Sequence, residues 1–127
     1  MPASTEKIDI LLSYLSETHT KSLALYDLIS IQPRTDETDI RILLNINEVF
    51  TYYHSVRIFY YSNTELDHAD VEPFFIAFEN FYFELKQVFF HEDSDIALLY
   101  SKLDKMKTSF EELDELVQCF IMKGDYK

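Results

Sequence analysis

Few residues in this chain are spaced for chemistry. Glu65-Leu-Asp-His68 carries the Glu-x-x-His spacing that sets two metal ligands on one helical face. A dinuclear metal site in a helical bundle uses that motif twice and adds two inward glutamates. Here it occurs once, in a polar stretch between apolar segments, so neither a metal site nor a cofactor is expected. No second histidine stands four residues from His19, His54 or His91, and no Cys-x-x-Cys pair offers a zinc site. Cys119 lies among Val117, Phe120 and Ile121, which reads as a structural thiol. Gly124 is the only glycine, so there is no glycine-rich phosphate loop, and no serine elbow occurs. These residues predict no catalysis.

His19 falls on one helical face with Ile8, Leu11, Leu12, Leu15, Ser22, Tyr26 and Ile29. The run His19-Thr-Lys-Ser-Leu-Ala24 resembles the phosphorylatable segment of histidine phosphotransfer domains, which are also small acidic helical bundles. That resemblance implies phosphoryl transfer at His19, but two features depart from it. The family places a lysine three residues after the histidine and a small glycine beyond it; here Lys21 follows by two and glycine is missing. Without the cation and the open space, His19 reads as a core histidine hydrogen-bonded to a neighbouring helix. Arg57, seven residues beyond Phe50, approaches the same side as its own apolar row. It is expected in a structural ion pair with an acid of the third helix, or stacked on Tyr53 or Tyr61.

The elements that would position these residues are helices. One glycine and three prolines leave little material for the turns of a strand-rich fold. The first helix is predicted over about 5–31, capped by Ser4 or Thr5 and stopped at Gln32-Pro33. The second runs over about 37–62 from Thr35, Asp36 or Asp39, with Ile42, Leu43, Ile46, Val49, Phe50, Tyr53, Val56 and Tyr60 on one face. Residues 64 to 71 form a polar connection with one helical turn at Thr64. The third helix covers about 72–91, with Asp70 as cap and Pro73 in the first turn. The fourth covers about 94–123, from Asp93 or Ser94 to Gly124, with Ile96, Leu99, Leu103, Met106, Phe110, Leu113, Val117 and Phe120 on its face. Four such helices with short loops predict an all-α, antiparallel four-helix bundle, a single domain over residues 1–127.

The third helix holds eight of the twenty Phe and Tyr residues. Phe74, Phe78, Phe81, Leu85 and Val88 form a continuous apolar face, widened by Phe75, Tyr82 and Phe89. Ile76, Phe83 and Phe90 recur every seven residues on the opposite side, between Glu72, Glu79 and Lys86 on one flank and Asn80, Glu84 and Gln87 on the other. A surface helix buries one stripe, and this one carries two. Either the helix is central to the fold, or the second stripe meets another molecule.

Net charge is −12 and uneven: residues 1–64 carry eight acids against five Lys or Arg, residues 65–127 fifteen acids against six. Such a field repels nucleic acid and anionic lipid and favours basic partners. Two acidic blocks stand out, Glu65, Asp67, Asp70 and Glu72 before the third helix, continued at its far end by Glu92, Asp93 and Asp95, and Glu111, Glu112, Asp114 and Glu115 on the fourth. No apolar run reaches the ~20 residues of a membrane span, and no signal peptide is apparent at the start. With a lone cysteine, the expectation is a cytoplasmic protein. The functional expectation is a non-catalytic interaction module, an inhibitor, adaptor or immunity-type factor. It would bind a basic protein surface through Glu72, Glu79 and the two acidic blocks, self-associate as a homodimer through Ile76, Phe83 and Phe90, or do both. Two alternatives are a DNA-mimic inhibitor of a nucleic-acid-binding protein, and a bundle that holds an apolar small molecule.

Overall fold

The computed structural model of the chain describes residues 5–30, 35–67, 69–91 and 96–120, with Thr5 and 114–120 described by their helical backbone alone. Four helices follow in order, α1 (Thr5–Ser30), α2 (Asp36–Ser62), α3 (Val71–Phe90) and α4 (Ile96–Phe120). A single 3₁₀ turn, Thr64–Leu66, joins α2 to α3, and no strand occurs among the described residues. The helices follow their predicted bounds to within a residue or two; the bounds expected at 31, 94 and 123 and the stop at Gln32-Pro33 lie outside the described residues. The caps expected at Ser4, Asp93, Ser94 and Gly124 lie outside the described residues.

Local chemistry explains the boundaries. Thr35 is extended, and its Oγ1 accepts a hydrogen bond from the Thr38 N–H at 3.1 Å, which starts α2. At the other end the Asn63 side chain donates to the Phe59 carbonyl at 2.8 Å. Leu66 is fully buried and pins the connection to the core. Asp70 occupies the N-cap of α3 without a side-chain capping bond, and Pro73 sits in the first turn, where a missing N–H costs nothing.

The helices form a closed ring. α1 packs against α2 and α4, and α3 packs against α4. α2 and α3 close the ring at a wider spacing, because large rings fill the space between them. Tyr53 stacks on Phe78 with centroids 4.4 Å apart and meets Phe75 edge-on at 5.7 Å. Tyr60 meets the same Phe75 edge-on at 5.6 Å, and Phe50 stacks on Tyr82 at 5.3 Å. Salt bridges tie α1 to the connection after α2 and to α2 itself, Lys7 to Glu65 at 2.6 Å and Lys21 to Glu48 at 2.5 Å.

The core face of α1 is partly polar. Thr18 and Ser22 are fully buried, and each hydroxyl donates back to the carbonyl four residues earlier, at 2.8 Å. Leu25 joins the buried face, while Leu12 and Tyr26 are only half-buried. On α2, Leu43 and Phe50 are exposed rather than core, since they lie at the edge of the arc centred on Ile42, Val49, Tyr53 and Tyr60. On α3, Glu84 is buried rather than in a solvated polar row, because its position adjoins Phe81 and Val88 beside α4. No helix among the described residues is long and apolar enough to cross a membrane.

Phe78 and Phe83 separate the two faces of α3 experimentally. Phe78→Ala is expected to cost about 3 to 5 kcal/mol in urea unfolding, because a fully buried ring leaves a cavity. Phe83→Ala at low protein concentration should change stability by no more than about 0.5 kcal/mol.

Candidate protein-interaction surface

Contacts with α2 set the rotation of α3 about its axis. With Phe75 and Phe78 held against Tyr53, the side of α3 opposite the core carries Ile76, Phe83 and Phe90. These three are 60%, 60% and 52% exposed. The second stripe is therefore an outward row in the single chain, not a second core face. An isolated exposed leucine or phenylalanine is ordinary, but three in heptad register along one helix form a patch.

Each flank of the stripe has its own chemistry. Toward α2 lie Glu72, Glu79 and Lys86. Tyr61 donates to Glu72 at 3.0 Å, Tyr53 donates to Glu79, and the Lys86 ammonium lies 4.8 Å from the Tyr82 ring centre. Burial first, then the bond to Glu79, pushes the Tyr53 phenol far above its ordinary range, so it stays a donor. Burial and Glu72 shift Tyr61 in the same direction. Toward α4 the stripe borders a shallow groove, where Ile76, Ala77 and Asn80 face Lys102 and Lys105. Leu43 and Phe50 of α2, each 42% exposed, widen the apolar patch. The pairing of Tyr61 with Glu72, Tyr53 with Glu79 and Phe50 with Tyr82 is antiparallel, and it brings Leu43 level with Phe89 and Phe90.

The two acidic blocks come to one end of the bundle. Phe74 and Phe110 are in ring contact at 5.9 Å, which levels the start of α3 with the later part of α4. Glu65, Asp67, Asp70 and Glu72 thus share an end with the exposed Glu111 and Glu112. Several of these carboxylates are already engaged. The Lys7 ammonium holds the Glu65 carboxyl below its usual range, and Asp67 accepts from Tyr60 at 2.9 Å. The side chains of Asp114, Glu115 and Cys119 lie outside the described residues, as do His68, Glu92, Asp93 and Asp95. Glu65 is bound to Lys7, and no group of three metal-binding side chains gathers among the described residues.

Three features escaped the reading of the sequence. Glu84 was one, buried at 6% exposure. A groove of about 910 Å³ along α1 and α2 is the second; Ile10, Tyr14 and Tyr52 line it together with Glu6, Asp9 and Glu17. The spacing of Glu6, Ile10, Ser13 and Glu17 marks one helical face and could have revealed it, but Tyr52 joins only through packing. The third is a set of outward residues on α2, Ile40, Leu44 and Ile58, all more than half exposed.

His19 and Arg57 each make a ring contact. His19 is nearly buried and stacks on Phe110 of α4 at 4.4 Å, 17° from parallel. Its Nε2 has no hydrogen-bond partner among the described residues, so the expected bond to a neighbouring helix is replaced by ring stacking. Burial, and then Lys107, lower its pKa, while Glu111 opposes them. Arg57 is exposed with its guanidinium 5.8 Å from the Tyr61 ring centre, the stacked arrangement, and no salt bridge joins it among the described residues.

No protein-family description, no curated protein and no solved structure matches the chain. The surface has to be read on its own chemistry.

The position of His19 carries a pH signature. The fold holds its imidazole below the ordinary value of 6.5, so the unfolded chain takes the proton first. The contribution of neutral His19 is complete above that value and is lost as pH falls through the folded pKa. Stability measured by urea unfolding should fall between pH 7.5 and 5.5, and His19→Leu should flatten that slope.

Proposed function

We propose that this chain is a non-catalytic helical interaction module whose contact surface is the outer face of α3. The observation that carries this reading is the exposed heptad row Ile76, Phe83 and Phe90, on a helix whose other face is fully committed to the core. Fixed polar groups border the row, with Glu72 and Glu79 held by tyrosines and Lys86 lying over Tyr82. A central apolar strip with an ordered polar rim is how protein interfaces are built.

The test separates folding from binding. Phe83→Asp should keep its helical circular dichroism and cooperative unfolding while losing association measured with the purified chain. A Phe83→Asp variant that unfolds, or one that keeps every association of the parent chain, would remove the basis for this reading.

The α1–α2 groove favours a second contact, with a basic partner. Glu6, Asp9 and Glu17 stand around Ile10, Tyr14 and Tyr52, a combination suited to a lysine or arginine whose stem lies on rings. Lys21 already lies 5.3 Å from the Tyr52 ring centre. A lysine-rich peptide should associate several-fold more slowly as salt rises from 20 to about 300 mM, the range over which screening sets in. An association rate indifferent to salt would argue against it. Nucleic-acid mimicry has less support, since Glu65, Asp67, Glu72 and Glu79 each hold an internal partner instead of forming a free row. The described grooves lie on the outside of the bundle, which gives the small-molecule reading little to build on.

A further inference from the structure

We propose that the occupant of the α3 face is a second copy of the chain, paired antiparallel across a two-fold axis at Phe83. This rests on the interaction-module reading and names its partner.

The first support is symmetry in the order of residues around Phe83. Ile76 lies seven residues before it and Phe90 seven after, so a two-fold axis there superposes each on the other and brings Phe83 against its own copy. On the α2 flank, Glu79 stands four residues before and Lys86 three after. An axis crossing the helix keeps each flank over the same flank of the partner. Glu79 of either copy therefore faces Lys86 of the other, giving two acid–base pairs. On the α4 flank the same operation sets Asn80 opposite Gln87. Ile76, Glu79, Asn80, Phe83, Lys86, Gln87 and Phe90 thus each meet a fitting group on the other copy.

Charge is the second support. A chain of net charge −12 repels its copy over most of its surface. The α3 face is the exception, where Glu72 and Glu79 are balanced by Lys86 and, across the groove, by Lys102 and Lys105. Around Phe83 copies can approach with acid over base, and a strongly basic partner has no advantage there.

Area sets the expected strength. The three stripe residues expose on the order of 350 Å² per copy, given ~150 to 250 Å² for a whole large side chain. A stable interface takes about 800 Å² from each partner. Leu43, Phe50 and the polar flanks narrow that gap without closing it. The dimer belongs among weak, concentration-dependent pairs.

Sedimentation velocity from 1 µM to 1 mM tests this, with circular dichroism as the folding control. The parent chain should pass from monomer to dimer across that range. Phe83→Asp should weaken dimerisation by about 30-fold or more, as for a central interface residue. Glu79→Lys and Lys86→Glu should each weaken it by about tenfold, and Lys86→Glu does so without touching the Tyr53 bond. Mixing these two variants in equal amounts should restore dimer, because both pairs become opposite in sign again. A chain monomeric at 1 mM overturns the self-pairing, while the module reading survives if Phe83→Asp still abolishes binding of a different protein. A dimer that Phe83→Asp leaves intact overturns the site. Single variants that dissociate the dimer but do not rescue each other overturn the antiparallel register.

Discussion

Tyr53 is the residue on which the arrangement of this bundle turns. Its ring stacks on Phe78, meets Phe75 edge-on, and its hydroxyl donates to Glu79, so one side chain of α2 grips three positions of α3. These contacts fix how α3 is rotated. If α3 turned by even one residue's ~100°, Phe75 or Phe78 would move toward water and the heptad row would swing toward a neighbour. The outward position of Ile76, Phe83 and Phe90 is therefore a consequence of the α2–α3 seam. The seam also orders the rim: the bond that anchors Tyr53 is the bond that orients Glu79.

Aromatic content serves both sides of this seam. Large rings hold α2 and α3 at a wider spacing than the other neighbours and still fill the gap with stacked and edge-on contacts. The same widening brings Phe50 and Tyr61 to the surface, where they border the α3 face. Polar groups in the remaining core are handled locally. Thr18 and Ser22 bond back to their own helix, and His19 spends its ring on Phe110. His19 Nε2 nevertheless stays buried with no hydrogen-bond partner among the described residues.

Most of the architecture was legible in the residues. Spacings of three and four, few turn formers and the positions of Thr35 and Pro73 were sufficient for four helices in the right places. The opposition of the two stripes on α3 was legible too, because a single helix places residues seven apart on one face whatever surrounds it. Leu43, Phe50 and Glu84 were misplaced for one shared reason. All three lie at the edge of an apolar arc, where a neighbouring helix decides between core and surface.

Periodicity alone thus determined which side chains share a face, since the helix repeat is a local property of the backbone. It did not determine which faces are covered. That choice depends on how α2 and α3 mesh through Tyr53, Phe75 and Phe78, residues far apart in the chain. Only packing exposed the second stripe, brought Glu65 and Glu72 to the same end as Glu111 and Glu112, and joined Tyr52 to the acids of α1. Burial is a relation between helices, and a linear pattern carries no information on the angle at which one helix meets the next.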